Sequence, residues 1–458
     1  MVDYVLDFER HGELRVNLVM QRMKRIALAW ILVSCGLSVI WGYVIQTDHS
    51  IEMVDYKGVY YDTRCLLQHI DTFKEGEPLR AFLNDAGVRA PLSIAQRKIL
   101  ERNIYFPTTL ILIAPIAMLP WGISHLLWMG LTAGCISIAA FLMWKAGGVD
   151  APVISCSLIC LLLANCEVLF GTGNLAGVAI SLCIVASWCL ISERIVLIGI
   201  LCLAVSLAIK PHDAGWVWLY FLLAGGIYRK RALQTLLVTL GMAVPAILWV
   251  SSIAPNWLSE LHSNLLEVAG ADGLSNPALI SITGLTANMV IDIQSIVSVF
   301  RDEPHFYNIV SYLLCGAMLL IWSFYTLRSK FSPQNAWLAL AAVVPITIII
   351  CYHRPYDAKL LLLTVPACAI LCAEGGPIGR LALLVNIAGF VLTSDITLAV
   401  LLNIYKNSSI SSIAGVWGKI LTVLVVRPAP LVLLAMAIFY LWVYSRRACI
   451  LPAVIKST

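Results

Sequence analysis

The chain has 458 residues and a net charge of +5 at pH 7; 60% of the residues are hydrophobic and only 12% are charged. A soluble domain carries about 25% charged residues, so this composition argues against a soluble enzyme. The basic residues are spread over many short loops, which gives no indication of nucleic-acid binding. Apolar runs of about 16 to 23 residues recur along the chain and predict an all-α polytopic membrane protein rather than a β-barrel.

These runs predict a bundle of about twelve transmembrane helices within one integral membrane domain, residues 1–458. The expected spans are 27–46, 124–144, 152–170, 174–191, 195–210, 213–228, 233–252, 306–326, 335–352, 359–373, 379–401 and 429–445. We group them into a first span, a cluster over 124–252 and a C-terminal group over 306–445.

Residues 104–121 are apolar but contain Pro107, Pro115 and Pro120, which interrupt helical backbone hydrogen bonding. We expect a re-entrant segment there, and such a segment implies a surrounding cavity. Two longer loops flank the span cluster, at 47–103 and 253–305. The first has apolar residues at helical spacing, which predicts helices lying on the membrane surface.

Lysine and arginine in short loops predict which side of the membrane each loop faces. Four basic clusters are expected on the cytoplasmic side: Arg22/Lys24/Arg25, 229–231, Arg328/Lys330 and Arg446/Arg447. If 104–121 does not cross the membrane, all four clusters fall inside and both longer loops fall outside. The compact loops favour a bacterial inner membrane with its polar site on the extracytoplasmic face.

Asp55 is the first candidate for catalysis, because it follows the first span directly and can act as a general base at the membrane boundary. The alternative is an ordinary loop aspartate. Tyr56, Tyr60 and Tyr61 are candidate substrate contacts, since their rings suit the interface or a sugar face. Asp62 is the reserve candidate for the base.

Three cations near the predicted outer surface are candidates for binding a phosphate: Lys210, Arg354 and Lys359. The competing explanations are snorkelling for Lys210 and interface anchoring for the other two. His353 is predicted to orient Asp55, to share a proton with it, or to contact a phosphate; a lone loop histidine is more often structural.

Two carboxylates lie within predicted spans. Glu167 is expected to line an acceptor site or to reach the interface, because intramembrane carboxylates usually face a cavity or a partner. For Asp395 we favour a hydrogen bond between helices. The fourteen cysteines show no CxxC pair and no metal-ligand spacing.

Several motifs, in order over about residues 50–370, resemble those of glycosyltransferase family 87, of the GT-C superfamily. They are Asp55-Tyr-Lys-Gly-Val-Tyr-Tyr61, Asn103–Leu110 with Pro115 and Pro120-Trp121, Gly173-Asn174-Leu175, Ala208-Ile-Lys-Pro211 with the basic turn 229–231, and Tyr352-His-Arg-Pro-Tyr-Asp357. The chain departs from the family's Tyr-Pro-Pro segment, because Phe106 stands where the first proline is usual.

The resemblance implies an inverting transferase that transfers a sugar, with mannose as the expected one, from a polyprenyl-phosphate donor to a lipid-linked or glycan acceptor. It implies that Asp55 is the base, that Asn174 contacts substrate, and that neither a cofactor nor a metal is needed. Membrane lipids are the other expected partners, and nucleic acid is not one. The alternatives are a lipid or solute transporter, for which we see no internal repeat, and a lipid-linked glycan ligase or polymerase.

Overall fold

The computed structural model describes residues 2–46, 52–86, 92, 94–270, 273, 275–279, 282–283, 286–287, 290–408, 413 and 415–449. Within this part of the chain the helices are α1 (Val2–Gln46), α2 (Val54–Leu67), α3 (Glu77–Ala86), α4 (Ile94–Glu101), α5 (Pro107–Ala117), α6 (Trp121–Gly147), α7 (Pro152–Leu163), α8 (Glu167–Thr172), α9 (Ala176–Ile191), α10 (Val196–Ile209), α11 (Pro211–Leu223), α12 (Gly226–Ile253), α13 (Trp257–Val268), α14 (Ile293–Phe300), α15 (Pro304–Arg328), α16 (Pro333–Ile350), α17 (Val365–Glu374), α18 (Gly376–Leu392), α19 (Asp395–Asn407), α20 (Gly415–Val426) and α21 (Pro428–Cys449). A 3-10 helix, Asp357–Thr364, precedes α17. Two-residue strands β1 (Ile282–Thr283) and β2 (Thr286–Ala287) pair antiparallel.

The helical membrane class is confirmed. Six described helices are long and apolar enough to cross a membrane, namely Gln21–Gln46 of α1, α6, α12, α15, α16 and Pro428–Ala448 of α21. A seventh span is possible if α18 and α19, which are bent by 70° at their junction, are counted as one. The count of about twelve spans and the interfacial placement of the first-loop helices stay predictions.

Several predicted spans differ from the helices observed. The expected span 152–170 is broken into α7 and α8, and Asn165 in the break uses its side chain to bind the Leu161 carbonyl and to accept from Ser394. The expected spans 213–228 and 233–252 meet instead at Gly225, because α12 begins at Gly226. Short polar side chains and glycine both end helices locally.

The segment 104–121 contains α5, an 11-residue helix with Pro107 in its first turn and Pro115 inside it. At 1.5 Å per residue such a helix is about 16 Å long, roughly half the thickness of the hydrocarbon core. Its re-entrant placement stays a prediction, since no membrane position is defined.

The interior is built around α16, and 78% of its most apolar 18-residue stretch is buried. This helix is hydrophobic on all sides, as expected for a helix surrounded by others. By contrast, only 11% of the most apolar 18-residue stretch of α12 is buried, so α12 lies at the periphery. A second apolar cluster packs α2 against α5, α6 and α9 through Tyr56, Leu110, Trp128 and Val178. That cluster fixes the helix that carries Asp55.

Candidate active site

Asp55 lies in the first turn of α2 rather than in an irregular loop. Met53, the residue before the helix, has a left-handed backbone conformation with φ of 46°, and its N–H donates to the Gly171 carbonyl at 2.9 Å. This contact ties the start of α2 to the end of α8. The positive end of the helix dipole favours an acidic residue in the first turn.

Asn174 fixes the Asp55 carboxylate. The Asn174 Nδ2 donates to Asp55 Oδ2 at 2.8 Å, while Asn174 Oδ1 accepts from the Ala176 N–H at 2.9 Å. Asn174 is therefore held at both ends of its amide. Among the described residues no side chain donates to Asp55 Oδ1, and Asp55 remains partly exposed, so this oxygen can accept a substrate hydroxyl.

The turn before Asn174 depends on Gly173. Its φ is +65°, in the left-handed region, and a Cβ there would lie 2.6 Å from Met53 Sδ and 2.9 Å from Tyr56 Cβ. The Gly173 carbonyl also accepts from Trp128 Nε1 at 2.9 Å. Only glycine combines this backbone conformation with such a close approach of α2.

The three tyrosines are packed in the protein interior. Tyr56 stacks on Trp128 with ring centroids 4.8 Å apart, and its hydroxyl lies 2.6 Å from Ser124 Oγ. Tyr60 donates to the Leu119 carbonyl, and Tyr61 donates to Asp85. Their ring faces contact protein in this structure, so their role as substrate contacts stays a prediction.

Asp62 lies seven residues beyond Asp55 on α2 and is 1% exposed. Its Oδ1 accepts from Thr72 Oγ1 at 3.0 Å, and its Oδ2 has no hydrogen-bond partner among the described residues. Burial raises the pKa of Asp62 well above its usual range, against the opposing effect of the Thr72 hydrogen bond. A carboxyl this buried offers little access to a substrate hydroxyl, whereas Asp55 is partly exposed, which favours Asp55 as the candidate base.

His353 does not contact Asp55 but binds a different carboxylate. Its Nε2 lies 2.9 Å from Asp213 Oδ1 and its Nδ1 lies 2.9 Å from the Cys351 carbonyl, and the ring is fully buried. Burial by itself would lower the pKa of His353, but Cys351 and the Asp213 carboxylate raise it well above its ordinary value. The imidazolium form satisfies both acceptors.

Lys210 joins the same network. Its Nζ lies 2.5 Å from Asp357 Oδ1 and 3.3 Å from Asp213 Oδ2. Asp357 Oδ2 in turn accepts from the Arg354 backbone N–H at 2.9 Å. These two carboxylates offset the charge of the Lys210 ammonium, which weakens its attraction for a phosphate.

Arg354 is a predicted cation whose charge interacts with that of Asp55. Burial by itself would lower the pKa of Arg354, but Tyr352, Tyr356 and Asp55 raise it above its ordinary value. The guanidinium also lies over the Tyr352 ring, 5.8 Å from its centroid.

Lys359 and Glu167 are both buried in the protein interior. Lys359 is 6% exposed, and its charge acts on Glu167 and Asp395. Both Glu167 oxygens and Asp395 Oδ2 have no hydrogen-bond partner among the described residues. The interhelical hydrogen bond favoured for Asp395 is therefore not formed by that oxygen. The acceptor-site role of Glu167 and the phosphate role of Lys359 stay predictions.

Sequence reasoning missed Asp213 and Asp357 as site residues. Each follows a residue that was singled out, Lys210 and Arg354, by three positions, a spacing that allows contact within one helical turn. Their pairing across 144 positions, through Lys210, could not be found without the fold.

In a comparison with protein families, a family model of glycosyltransferase family 87 matches residues 103–351 of the chain. This is more than half of the chain. The protein belongs to glycosyltransferase family 87. No match was found among curated proteins or among solved structures.

As a family 87 member the chain is a membrane glycosyltransferase. The matched region includes Asn174, Lys210 and Asp213 but ends before His353, and Asp55 precedes it. The hydrogen bonds described above therefore join the matched region to two polar segments outside it. Asp55 is held from inside that region by Asn174, and His353 is held from inside it by Asp213.

Proposed function

We propose that this family 87 glycosyltransferase transfers a sugar, mannose being our first candidate, from a polyprenyl-phosphate donor to a lipid-linked or glycan acceptor. In this proposal transfer occurs at the extracytoplasmic face of a bacterial inner membrane and inverts the anomeric configuration, and Asp55 is the base. The observation that carries it is the Asp55 carboxylate, oriented through one oxygen by Asn174 while the other can accept a hydroxyl.

Inverting transfer needs one base on the side of the acceptor and stabilisation of the leaving group on the other side. Asp55 would take the proton of the acceptor hydroxyl as its oxygen attacks the anomeric carbon. The bond from that carbon to the phosphate oxygen then breaks, and polyprenyl phosphate leaves. Positive charge near the departing phosphate lowers the energy of this transition state.

Arg354 is our leading candidate for that charge. It combines a planar fork of donors with a position in which its charge interacts with Asp55. Lys210 and Lys359 are retained as further phosphate contacts, and an ammonium with three donors can bind a phosphate while it keeps a carboxylate partner. The lipid tail of the donor explains why a sugar transferase needs a large apolar bundle.

The test compares wild type with Asp55→Asn, purified in nanodiscs and supplied with polyprenyl-phosphate-mannose and total lipid extract. We expect release of polyprenyl phosphate with formation of a new glycolipid in wild type, and a loss of about 10²- to 10⁴-fold in the variant. The exposed Asp302→Asn is the matched control and should retain the wild-type rate.

Equal turnover by Asp55→Asn and wild type would reject Asp55 as the base. An absence of turnover with this donor, in protein shown to be folded, would reject mannose as the transferred sugar. Polyprenyl-phosphate donors that carry other sugars would then be supplied in the same assay.

A further inference from the structure

Three side chains near Lys210 converge on one point. His212 and Asp213 occupy the first turn of α11, and His353 comes from the segment between α16 and the 3-10 helix. One ligand atom from each residue, a ring nitrogen or a carboxylate oxygen, lies within 4.8 Å of the others. Two imidazoles and one carboxylate form a ligand set typical of divalent transition metals.

We propose that His212, Asp213 and His353 form a binding site for a divalent transition metal ion of the Zn²⁺ or Mn²⁺ class. This departs from the sequence-based expectation that no metal is needed. That expectation considered cysteine spacing and the family resemblance, whereas His212 and His353 are 141 positions apart and are joined only by the fold.

The distances fit this ligand set. Metal–ligand bonds of about 2.0–2.1 Å place adjacent ligand atoms about 2.9 Å apart at a right angle and about 3.3 Å apart at a tetrahedral angle. The distance from His353 Nε2 to Asp213 Oδ1 is 2.9 Å, and that from His212 Nε2 to the same oxygen is 3.8 Å. A small rotation of His212 would close the second distance, and its side chain is 41% exposed and has room to turn.

The surroundings of His353 match those of a metal ligand. A ligating histidine usually donates its second ring N–H to a carbonyl or carboxylate, which fixes the ring. The Cys351 carbonyl accepts from His353 Nδ1 at 2.9 Å, so Nε2 points to Asp213. Without metal, a proton joins Nε2 to Asp213 Oδ1, and an ion would replace that proton.

Lys210 opposes a cation, since its Nζ lies 3.3 Å from Asp213 Oδ2. The two oxygens of Asp213 have different neighbours, however, because the histidines lie near Oδ1 and Lys210 lies near Oδ2. Asp357, whose Oδ1 lies 2.5 Å from Lys210 Nζ, shares the ammonium with Asp213. The exposed side of His212 provides access for an ion.

An ion at this position would add positive charge on the same turn as Lys210. Its effect on a donor phosphate rests on the proposed function, whereas metal binding itself does not. Binding is therefore measured without turnover, so that failure of the metal site and failure of the transferase proposal are distinguished.

The experiment uses full-length protein without a polyhistidine tag, dialysed against chelator and titrated with Zn²⁺ and with Mn²⁺ by calorimetry. We expect one equivalent of one of these ions to bind in wild type, and His212→Ala to weaken its affinity at least tenfold. His262→Ala, which removes an exposed histidine on α13, should bind as wild type does. His212 is exposed, so its variant should fold, and thermal unfolding checks this.

Co²⁺ supplies a second readout, because its visible absorption reports ligand geometry and should be lost in His212→Ala. Metal affinity that is the same in wild type and His212→Ala would overturn the proposal. So would failure of all three ions to bind to folded wild-type protein.

Discussion

Asn174 donates a 2.8 Å hydrogen bond to Asp55 across 119 positions of sequence. The bond joins the N-terminus of α2 to the residues just before α9. Because Asn174 is itself fixed by the Ala176 N–H, the carboxylate of Asp55 has a defined orientation before any substrate arrives. Such preorganisation is what a general base needs.

Removing that bond should lower turnover more than stability. Asn174→Ala should reduce kcat by about 10- to 100-fold, since a hydrogen bond to a charged group contributes about 1.5–3 kcal/mol. Asn174→Asp should be at least as damaging, because it places a second carboxylate against Asp55. Initial rates and thermal unfolding are measured together.

Asn407→Ala serves as the control for Asn174→Ala, since Asn407 is exposed at the end of α19 and should be neutral. Wild-type kcat in both Asn174 variants would show that Asp55 needs no orientation by Asn174. A loss of folding in Asn174→Ala would instead assign the residue a structural role.

Gly173→Ala should disturb the same contact through the backbone. The variant adds left-handed strain of about 1–2 kcal/mol, and its Cβ would overlap Met53 and Tyr56. Gly226→Ala is a matched control, because Gly226 also has a positive φ, of 51°, but a Cβ there meets nothing within 4 Å. We expect Gly173→Ala to lower the unfolding temperature and turnover more than the control does. Equal losses in the two variants would mean that the close approach of α2 adds no cost beyond the backbone strain.

Composition and hydrophobic periodicity predicted the membrane class and the helical segments, since both depend on local sequence. The breaks were harder to predict, because Asn165 ends α7 through hydrogen bonds to a carbonyl within α7 and to Ser394 of a distant segment. The same limit applies to the site. Asp55, Asn174 and Lys210 were identified from motifs, but Asp213 and Asp357 become site residues only through partners brought together by folding.

The sequence predicts the role of a residue poorly when that role depends on whether its side chain is buried. Tyr56 and Tyr60 are 0% exposed and pack on protein, which no pattern of aromatic residues in a loop indicates. His353 was expected near Asp55, and the fold pairs it with Asp213 instead. The sequence locates the polar segments, while the pairing among them depends on tertiary structure.

Lys210→Met tests how strongly the Lys210 network stabilises the fold. The variant leaves Asp213 and Asp357 buried without their shared ammonium, and breaking a buried ion pair in this way costs about 3–5 kcal/mol. We expect a large drop in the midpoint of thermal or denaturant unfolding. Lys330→Met removes an exposed lysine and should change the midpoint little. If Lys210→Met kept wild-type stability and lost only donor affinity, Lys210 would be a phosphate contact that does not stabilise the fold.

Asp62 should make stability depend on pH. Burial raises its pKa in the folded chain, so between its ordinary value of about 4 and the raised value the folded state holds the proton more tightly than the unfolded state does. Its favourable contribution is therefore complete below pH 4 and is lost as the pH rises through the folded pKa. Asp62→Asn keeps an oxygen for Thr72 and removes the titration, so its stability should fall less than that of wild type as the pH rises from 4 to 8.

The measurement for Asp62 is unfolding between pH 4 and pH 8 for wild type, Asp62→Asn and Asp302→Asn. Asp302 is an exposed carboxylate between α14 and α15, so its variant serves as the control. We expect the profile of Asp62→Asn to be flatter than the other two, with its advantage growing as the pH rises. Parallel profiles for all three proteins would mean that Asp62 is ionised in the folded state, and Asp62 would then regain its place as a candidate base beside Asp55.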